Sequence, residues 1–455
     1  MAISRNLFPL CSIFLLIAAP LRAQEAEFPD ATVLVEPLRT TANPFPVLAS
    51  FEAPFPAGVS PAAESAAPGS GAASVESTAS AIEPARSRRQ AAQGIFLEPP
   101  DIEAWYLIGD HRQVYACQLE SIDRIPEGRT FDWARVTTLV PRRPQLLRLV
   151  RLRGPIPAGA LTVSSRLAGG LLTLKSANVE FCARPTFFRV AEQVVLHDHT
   201  ILPPFVENLV NRQQNVELVV TDTLRHADFP LSPQTPEQGF AVDRPGPVIA
   251  SGLYRGTFAG DESVPAIPFE GRVGMTAQGL SFISVTLPAG GIDLAKYRVK
   301  DLHLTVPILL EESASLGFGS AFSQSRGRRF WKGVSRLTAN SDGKYSFTDC
   351  DGSGASGSSG LCWADYASER AGLGIIWSGK AVSVEITCDH NEDLIDIRLA
   401  PSSQAPGAPV TAEVYLYFHT GLADRNILGY LADGLAHPPA LRVSEEYVKA
   451  VLARD

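Results

Sequence analysis

The chain has 455 residues, 45% of them hydrophobic and 19% charged, with a formal net charge of −8. That is ample apolar material for a buried core, and the acidic balance argues against a nucleic-acid partner. Beyond the N-terminus no run approaches the roughly 18 uncharged apolar residues a membrane span requires, so no membrane span is expected.

Residues 1–23 have the form of an export signal. One basic side chain, Arg5, precedes an almost wholly apolar stretch over residues 7–20, and "LRAQ" offers Leu21 and Ala23 as flanks of a peptidase cut before Gln24. The mature protein is therefore expected outside the cytoplasm, periplasmic or extracellular. Cys11 leaves with the signal, so Cys117, Cys182, Cys350, Cys362 and Cys388 remain. In an oxidising compartment pairing is expected, and an odd count leaves one thiol over. Loop closure favours Cys350 with Cys362; Cys117 with Cys182 is a second candidate pair, and sequence does not fix how Cys388 is placed.

Residues 24–94 are rich in Ala, Ser, Pro and Gly. Such a stretch buries too little surface to offset its ordering entropy, and it reads as a disordered spacer. Its basic end, "ARSRRQ" with Arg86, Arg88 and Arg89, fits either a protease site or a solvated patch in a linker.

From about residue 95 the texture is β. "VELVVTDT" (216–223), "LSFISVTL" (280–287), "DLHLTVPILL" (301–310), "AVSVEITC" (381–388), "DLIDIRLA" (393–400) and "TAEVYLYFH" (411–419) alternate apolar and polar residues between Gly, Pro, Asn or Asp. The expected class is mainly β: two antiparallel β domains, a barrel-like or sandwich domain over residues 95–235 and a larger β-sandwich over residues 236–440. The boundary is placed in "SPQTPEQGFAVDRPGP" (232–247), where Pro, Gln and Gly interrupt the strand pattern. Two helices are expected, one over about 423–435, stopped by "HPP", and one within 441–455 that starts at "SEEYVKAVLA" with Ser444 as its N-cap.

Motifs with chemistry are sparse. "LHDHT" sets His197 and His199 on one face of a strand, but no third ligand follows in a recognised spacing. "DHNED" (389–393) begins like a calcium loop, yet Leu394 stands where glycine is needed and no Glu closes it, so it reads as a hairpin turn. "FTDCDGSGASGSSGLCWADY" (347–366) also lacks the closing Glu, and it lacks the Lys-Ser or Lys-Thr of a phosphate loop. It reads as a loop between strands, cross-linked at its neck by Cys350 and Cys362, a closure worth about 3 kcal/mol in the chain-entropy model. Accordingly no metal, cofactor or catalytic residue is assigned.

Sugar rings stack on exposed aromatic faces. Trp331, Trp363 and Trp377 cluster around that loop with Asp365 and Tyr366, and these five are the candidate saccharide-binding residues, each weighed against simple core packing. Trp363, followed by the polar run "ADYASER", is the one expected at the surface. The basic strand "PRRPQLLRLVRLRG", with Arg142, Arg143, Arg148, Arg151 and Arg153, fits an acidic polymer such as a uronate chain or a solvated sheet face.

Several phrases carry a family resemblance. "RPGPVIASGLYRGTF" (244–258), "PFEGRVGMTAQGLSFISVTLPAGG" (268–291), "YRVKDLHLTVPI" (297–308) and the ending from "IDIRLAP" to "SEEYVKA" resemble the central β-sandwich of exo-rhamnogalacturonan lyase-like proteins. "RGPIPAGAL" (153–161) is similar to the entry of that family's N-terminal barrel, whereas the Trp-rich Asp-Gly-Ser phrase usual there is missing. "GLYRG" also fits the N-terminal sandwich of certain glycoside hydrolases. Members of the lyase-like family continue into a large α/α toroid, so the resemblance implies a saccharide-binding or accessory module for polysaccharide or oligosaccharide, with a partner chain carrying a catalytic domain. Two other functions stay open: a compact lyase or hydrolase on acidic plant-type glycans, and a structural or interaction protein of the cell envelope.

Overall fold

The computed structural model describes residues 31–35, 43–56, 103–109, 113–121, 131–142, 145–153, 156–157, 159–184, 189–196, 199–200, 216–234, 239–260, 264–308, 329–332, 338–339, 345–347, 361–367, 371–378, 383–388, 393–399, 401, 404–420 and 427–452. The class is the expected one: antiparallel β-sheets with two short helices, Ile427–Ala436 and Glu445–Leu452, near the C-terminus. Neither helix is long and apolar enough to cross a membrane.

Seven strands make a curled sheet in the order Asn43–Pro56, Phe131–Arg142, Val114–Ser121, Glu103–Ile108, Gln145–Arg153, Ala31–Val35 and Leu441–Val443. Its two edge strands, Asn43–Pro56 and Leu441–Val443, lie against one another, and the helix Glu445–Leu452 packs on the same edge. Tyr447 there donates its hydroxyl to Pro54 O at 3.0 Å, and Ser444 Oγ accepts the Tyr447 N–H at 3.4 Å, as expected of its cap. Inside the curl, Val33, Phe51, Phe55, Trp105, Leu107, Val136 and Tyr447 form one apolar core.

Two expectations change here. Residues 31–56, placed in the spacer, contribute two of these strands: Val47, Ala49, Phe51, Ala53 and Phe55 alternate into the core, a period-two signal diluted when composition is averaged over residues 24–94. The C-terminal segment 441–455 supplies a strand and a helix to this first unit instead of standing as a separate helix.

The other three sheets share a single core. One has five strands, from Val163–Ala168 to His199–Thr200; one has seven and includes Val216–Asp222, Ala227–Leu231, Tyr297–Ile308 and Asp393–Leu399; and one has eight. The eight-stranded sheet runs Ala241–Pro245, Ile249–Phe258, Ile267–Thr276, Leu280–Leu287, Val410–Thr420, Ala371–Ser378, Leu361–Ala367, Arg329–Lys332. The boundary expected at 235/236 therefore moves. Val216–Asp222 pairs with Tyr297–Ile308 across it, and Leu172, Phe181 and Val194 sit in the same core as Val285 and Phe418. The change of unit falls between Arg153 and Val163, because a sheet and its core cannot be divided by a loop rich in Pro and Gln.

Where the units meet, the buried Gln118 accepts the backbone N–H groups of Val248 and Ile249 through Oε1, at 3.2 and 2.8 Å. Arg244 Nε pairs with Glu120 Oε1 at 3.1 Å beside it. The candidate pair Cys117 and Cys182 is not a disulfide: both are buried thiols, on strands of different sheets, and burial pushes the Cys117 thiol up to about 12. Cys182 Sγ lies 3.7 Å from Thr173 Oγ1.

Candidate functional site

Register sorts the eight-stranded sheet into two faces. On the inner face, Val273, Met275, Ile283, Val285, Leu287, Val414, Leu416 and Phe418 are buried against the other sheets. The outer face reads across the strands in rows. One row runs Ser251, Gly274, Phe282, Tyr415, Ile376, Trp363; the next runs Leu253, Arg272, Ser284, Glu413; a third runs Arg255, Glu270, Thr286, Thr411. Period-two alternation thus collects the aromatic and charged residues of three central strands on one surface.

Helix Ile427–Ala436 covers one end of this face. Leu428, Leu431 and Ala432 pack with Leu280, Ile376 and Trp363, and Gly374 permits the approach: a Cβ there would meet Leu428 Cδ2 at 2.3 Å. Trp363, expected at the surface, is accordingly only 6% exposed, and its Nε1 has no hydrogen-bond partner among the described residues. Trp377 is also core, 2% exposed on the inner face. A helix contributed from more than 60 residues downstream turns the aromatic neighbourhood of the loop into packing. As side chains, Trp331, Asp365 and Tyr366 lie outside the described residues; by backbone, Trp331 pairs with Asp365 and Tyr366 with Leu373.

Cys350 lies outside the described residues, and with it the expected staple; Cys362 is placed through its strand, opposite Trp377. The segment between them links two different sheets, since Tyr345–Phe347 belongs to the seven-stranded sheet and Leu361–Ala367 to the eight-stranded one. The turn read at "DHNED" does join a hairpin, with Cys388 opposite Asp393. His197 and Arg143 lie outside the described residues, and His199 is placed only by its pairing with Leu196.

Beyond the helix the outer face is open. Phe282 lies across the neighbouring strand: a Cβ on Gly274 would fall 2.1 Å from Phe282 Cζ and 2.4 Å from Cε1. Without a side chain at 274 the ring can lie over that strand; it packs partly against the main core and stays partly exposed. Directly opposite in register stands Tyr415, its centroid 6.2 Å from that of Phe282 at an interplanar angle of 50°. The two rings make a platform.

Polar groups frame the platform on its open side. Arg272 Nε lies 2.9 Å from Asp243 Oδ2, and its Nη2 lies 3.7 Å from Glu270 Oε1; Arg255 Nε pairs with Glu270 Oε2 at 3.3 Å. Ser251 donates to Asp243 Oδ2 at 3.0 Å, and the Thr286 and Thr411 hydroxyls lie 3.1 Å apart. Tyr415 donates its hydroxyl to Glu413 Oε2 at 2.9 Å. Glu413 keeps an accessible surface, yet the protein around it desolvates its carboxyl and raises the pKa; the Tyr415 hydrogen bond and the Arg272 charge pull the other way without cancelling this. The Tyr415 phenol is raised in turn, first by desolvation and then by the Glu413 charge. Stacking surface, hydroxyls and carboxylate acceptors therefore meet within five adjacent strands.

Sequence reasoning singled out none of these residues, although "LSFISVTL" and "TAEVYLYFH" contain the signal. In the second, one face is wholly apolar and the other mixes aromatic with polar side chains; the first follows the same pattern except for the buried Ser281 on its inner face.

A groove of about 400 Å³ opens where the two units meet, walled by Pro46, Val114, Ala116, Leu139, Leu161 and Val248. No charged side chain lines it among the described residues. Tyr115 and Gln113 line it as well and give it an aromatic ring and polar groups; what it lacks beside the sheet face is a carboxylate or guanidinium border. Among the described residues no group of three or more His, Cys, Asp or Glu is arranged to hold a metal ion.

No family model matches the sequence, and no curated protein matches it. Among solved structures the chain is similar to an alpha-mannosidase from Enterococcus faecalis V583, with a TM-score of 0.44 and 10% identity over 92% of this chain and 46% of that one. It is also similar to a protein in the glycosyl hydrolase family 38 from Enterococcus faecalis, with a TM-score of 0.45 and 10% identity over 91% and 47%. The chain spans about half the length of these structures.

Proposed function

We propose that this protein is an exported saccharide-binding accessory module that holds a glycan on the outer face of its eight-stranded sheet. The observation that carries the reading is the Phe282 ring, lying over Gly274 beside Tyr415 and bordered by Arg272, Asp243, Glu270 and Glu413. A sugar ring offers an apolar C–H face and an equatorial rim of hydroxyls; the platform meets the first and the polar border meets the second. The phrases shared with exo-rhamnogalacturonan lyase-like proteins support the same reading, with catalysis supplied by a partner chain.

Titration calorimetry of the mature protein with a panel of neutral and acidic oligosaccharides tests it. Phe282→Ala is expected to weaken binding at least tenfold, about 1.4 kcal/mol, in protein first shown to be folded. Binding that survives Phe282→Ala and Tyr415→Ala together would place the ligand elsewhere.

A compact polysaccharide-cleaving enzyme is the second reading, favoured by Glu413, an accessible carboxyl that accepts the Tyr415 hydroxyl beside the aromatic pair. Monitoring the same incubations for new reducing ends and for unsaturated uronate separates the two. Sustained turnover abolished by Glu413→Gln would replace the accessory reading.

A further inference from the structure

We infer that the glycan held on this face is uncharged, and that uronates and other anionic saccharides are excluded; the inference rests on the saccharide-binding reading above. The sequence left an acidic polymer open, on the basic strand as an alternative to a solvated sheet face. The open face points the other way.

Among the described side chains of this face, three carboxylates, Asp243, Glu270 and Glu413, stand with two guanidinium groups, Arg255 and Arg272. Both guanidinium groups are already engaged: Arg272 lies between Asp243 and Glu270, and Arg255 pairs with Glu270. The remaining arginine of the adjoining edge strand, Arg244, is drawn away to Glu120 at the junction of the two units. Recognition of a sugar carboxylate calls for a cation able to meet it, normally a bidentate arginine. Here a uronate that reached Arg272 would have to displace Asp243 or Glu270, and one that met the more exposed Arg255 would come up against Glu270, its present partner.

A neutral sugar meets no such conflict. Its hydroxyls are donors as well as acceptors, and ionised carboxylates are acceptors only, with several lone pairs each. Asp243, Glu270 and Glu413 can keep their present partners and still accept from hydroxyls on a ring stacked over Phe282. The partly exposed hydroxyls of Thr286 and Thr411 lie in the third of these rows.

The test is titration of the full mature chain at pH 7 with neutral hexose oligosaccharides and with oligogalacturonate of equal length. Neutral oligosaccharides are expected to bind, insensitively to salt, and oligogalacturonate at least about tenfold more weakly. Asp243→Asn, which releases Arg272 from one partner, is expected to narrow that gap by improving oligogalacturonate binding. Tighter binding of oligogalacturonate than of any neutral oligosaccharide, lost in Phe282→Ala and weakened by added salt, would overturn the inference while leaving the saccharide face in place. Failure of both classes to bind would overturn the inference and the saccharide-binding reading together.

Discussion

At the scale of single residues, Trp363 shows how far local sequence carries. Its neighbours in the chain are small and polar, which is the usual setting of a surface aromatic. Its neighbours in space are Leu428, Leu431, Ile376 and Leu280, and the first two arrive on a helix that begins at Ile427. Nothing near residue 363 announces that helix. Replacing Trp363 with Ala is expected to cost about 3–5 kcal/mol in denaturant unfolding, as for other large-to-small changes in a core. Trp363→Phe is expected to cost much less, because it keeps most of the volume and removes an indole N–H that has no partner among the described residues. Equal losses for the two variants would mean that the indole nitrogen is satisfied in the folded protein. Phe282 is the converse case. It looks like any strand aromatic in sequence, and it becomes a candidate ligand surface only because residue 274, opposite it on the next strand, is glycine.

Among elements, strands were the most legible feature, since a half-buried strand writes its two faces into alternate positions. The hairpin from Val216–Asp222 to Ala227–Leu231 shows the physics of one turn. Asp222 Oδ1 accepts the N–H groups of Leu224 and Arg225 at 2.9 and 3.0 Å, and His226 takes the left-handed conformation at φ 53°. These bonds, led by that from Arg225, hold the Asp222 carboxyl below its usual range. A folded pKa below the unfolded one contributes stability that is present above the unfolded value and lost as pH falls through the folded value. Asp222→Ala is therefore expected to destabilise the protein at neutral pH, with the difference from wild type shrinking once the pH drops below about 4. A difference that stays constant from pH 7 to pH 3 would show that the carboxylate charge plays no part. Sequence alternation showed that strands were present and which residues shared a face; it did not show which face a second layer would cover. That depends on partners such as the helix Ile427–Ala436, whose contacts lie far along the chain.

For the whole molecule, the chain closes on itself. Val33 stands opposite Val443, and Tyr447 reaches Pro54, so residues about 400 positions apart complete one curled sheet. Cutting the sequence into consecutive segments could not anticipate this pairing, and the expected domain limits erred at both ends for that reason. The joint at Gln118 and Arg244 then fixes this unit against the sandwich and leaves two surfaces suited to a ligand, the uncharged groove at the joint and the aromatic–polar face of the eight-stranded sheet. The central claim is that the sheet face is the saccharide site. The measurement that tests it most directly is calorimetric titration of one neutral oligosaccharide into wild type, Phe282→Ala and the groove variant Leu161→Gln, each first shown to be folded. The account predicts at least about tenfold weaker binding for Phe282→Ala and unchanged affinity for Leu161→Gln; lost binding in Leu161→Gln with wild-type affinity in Phe282→Ala would contradict it.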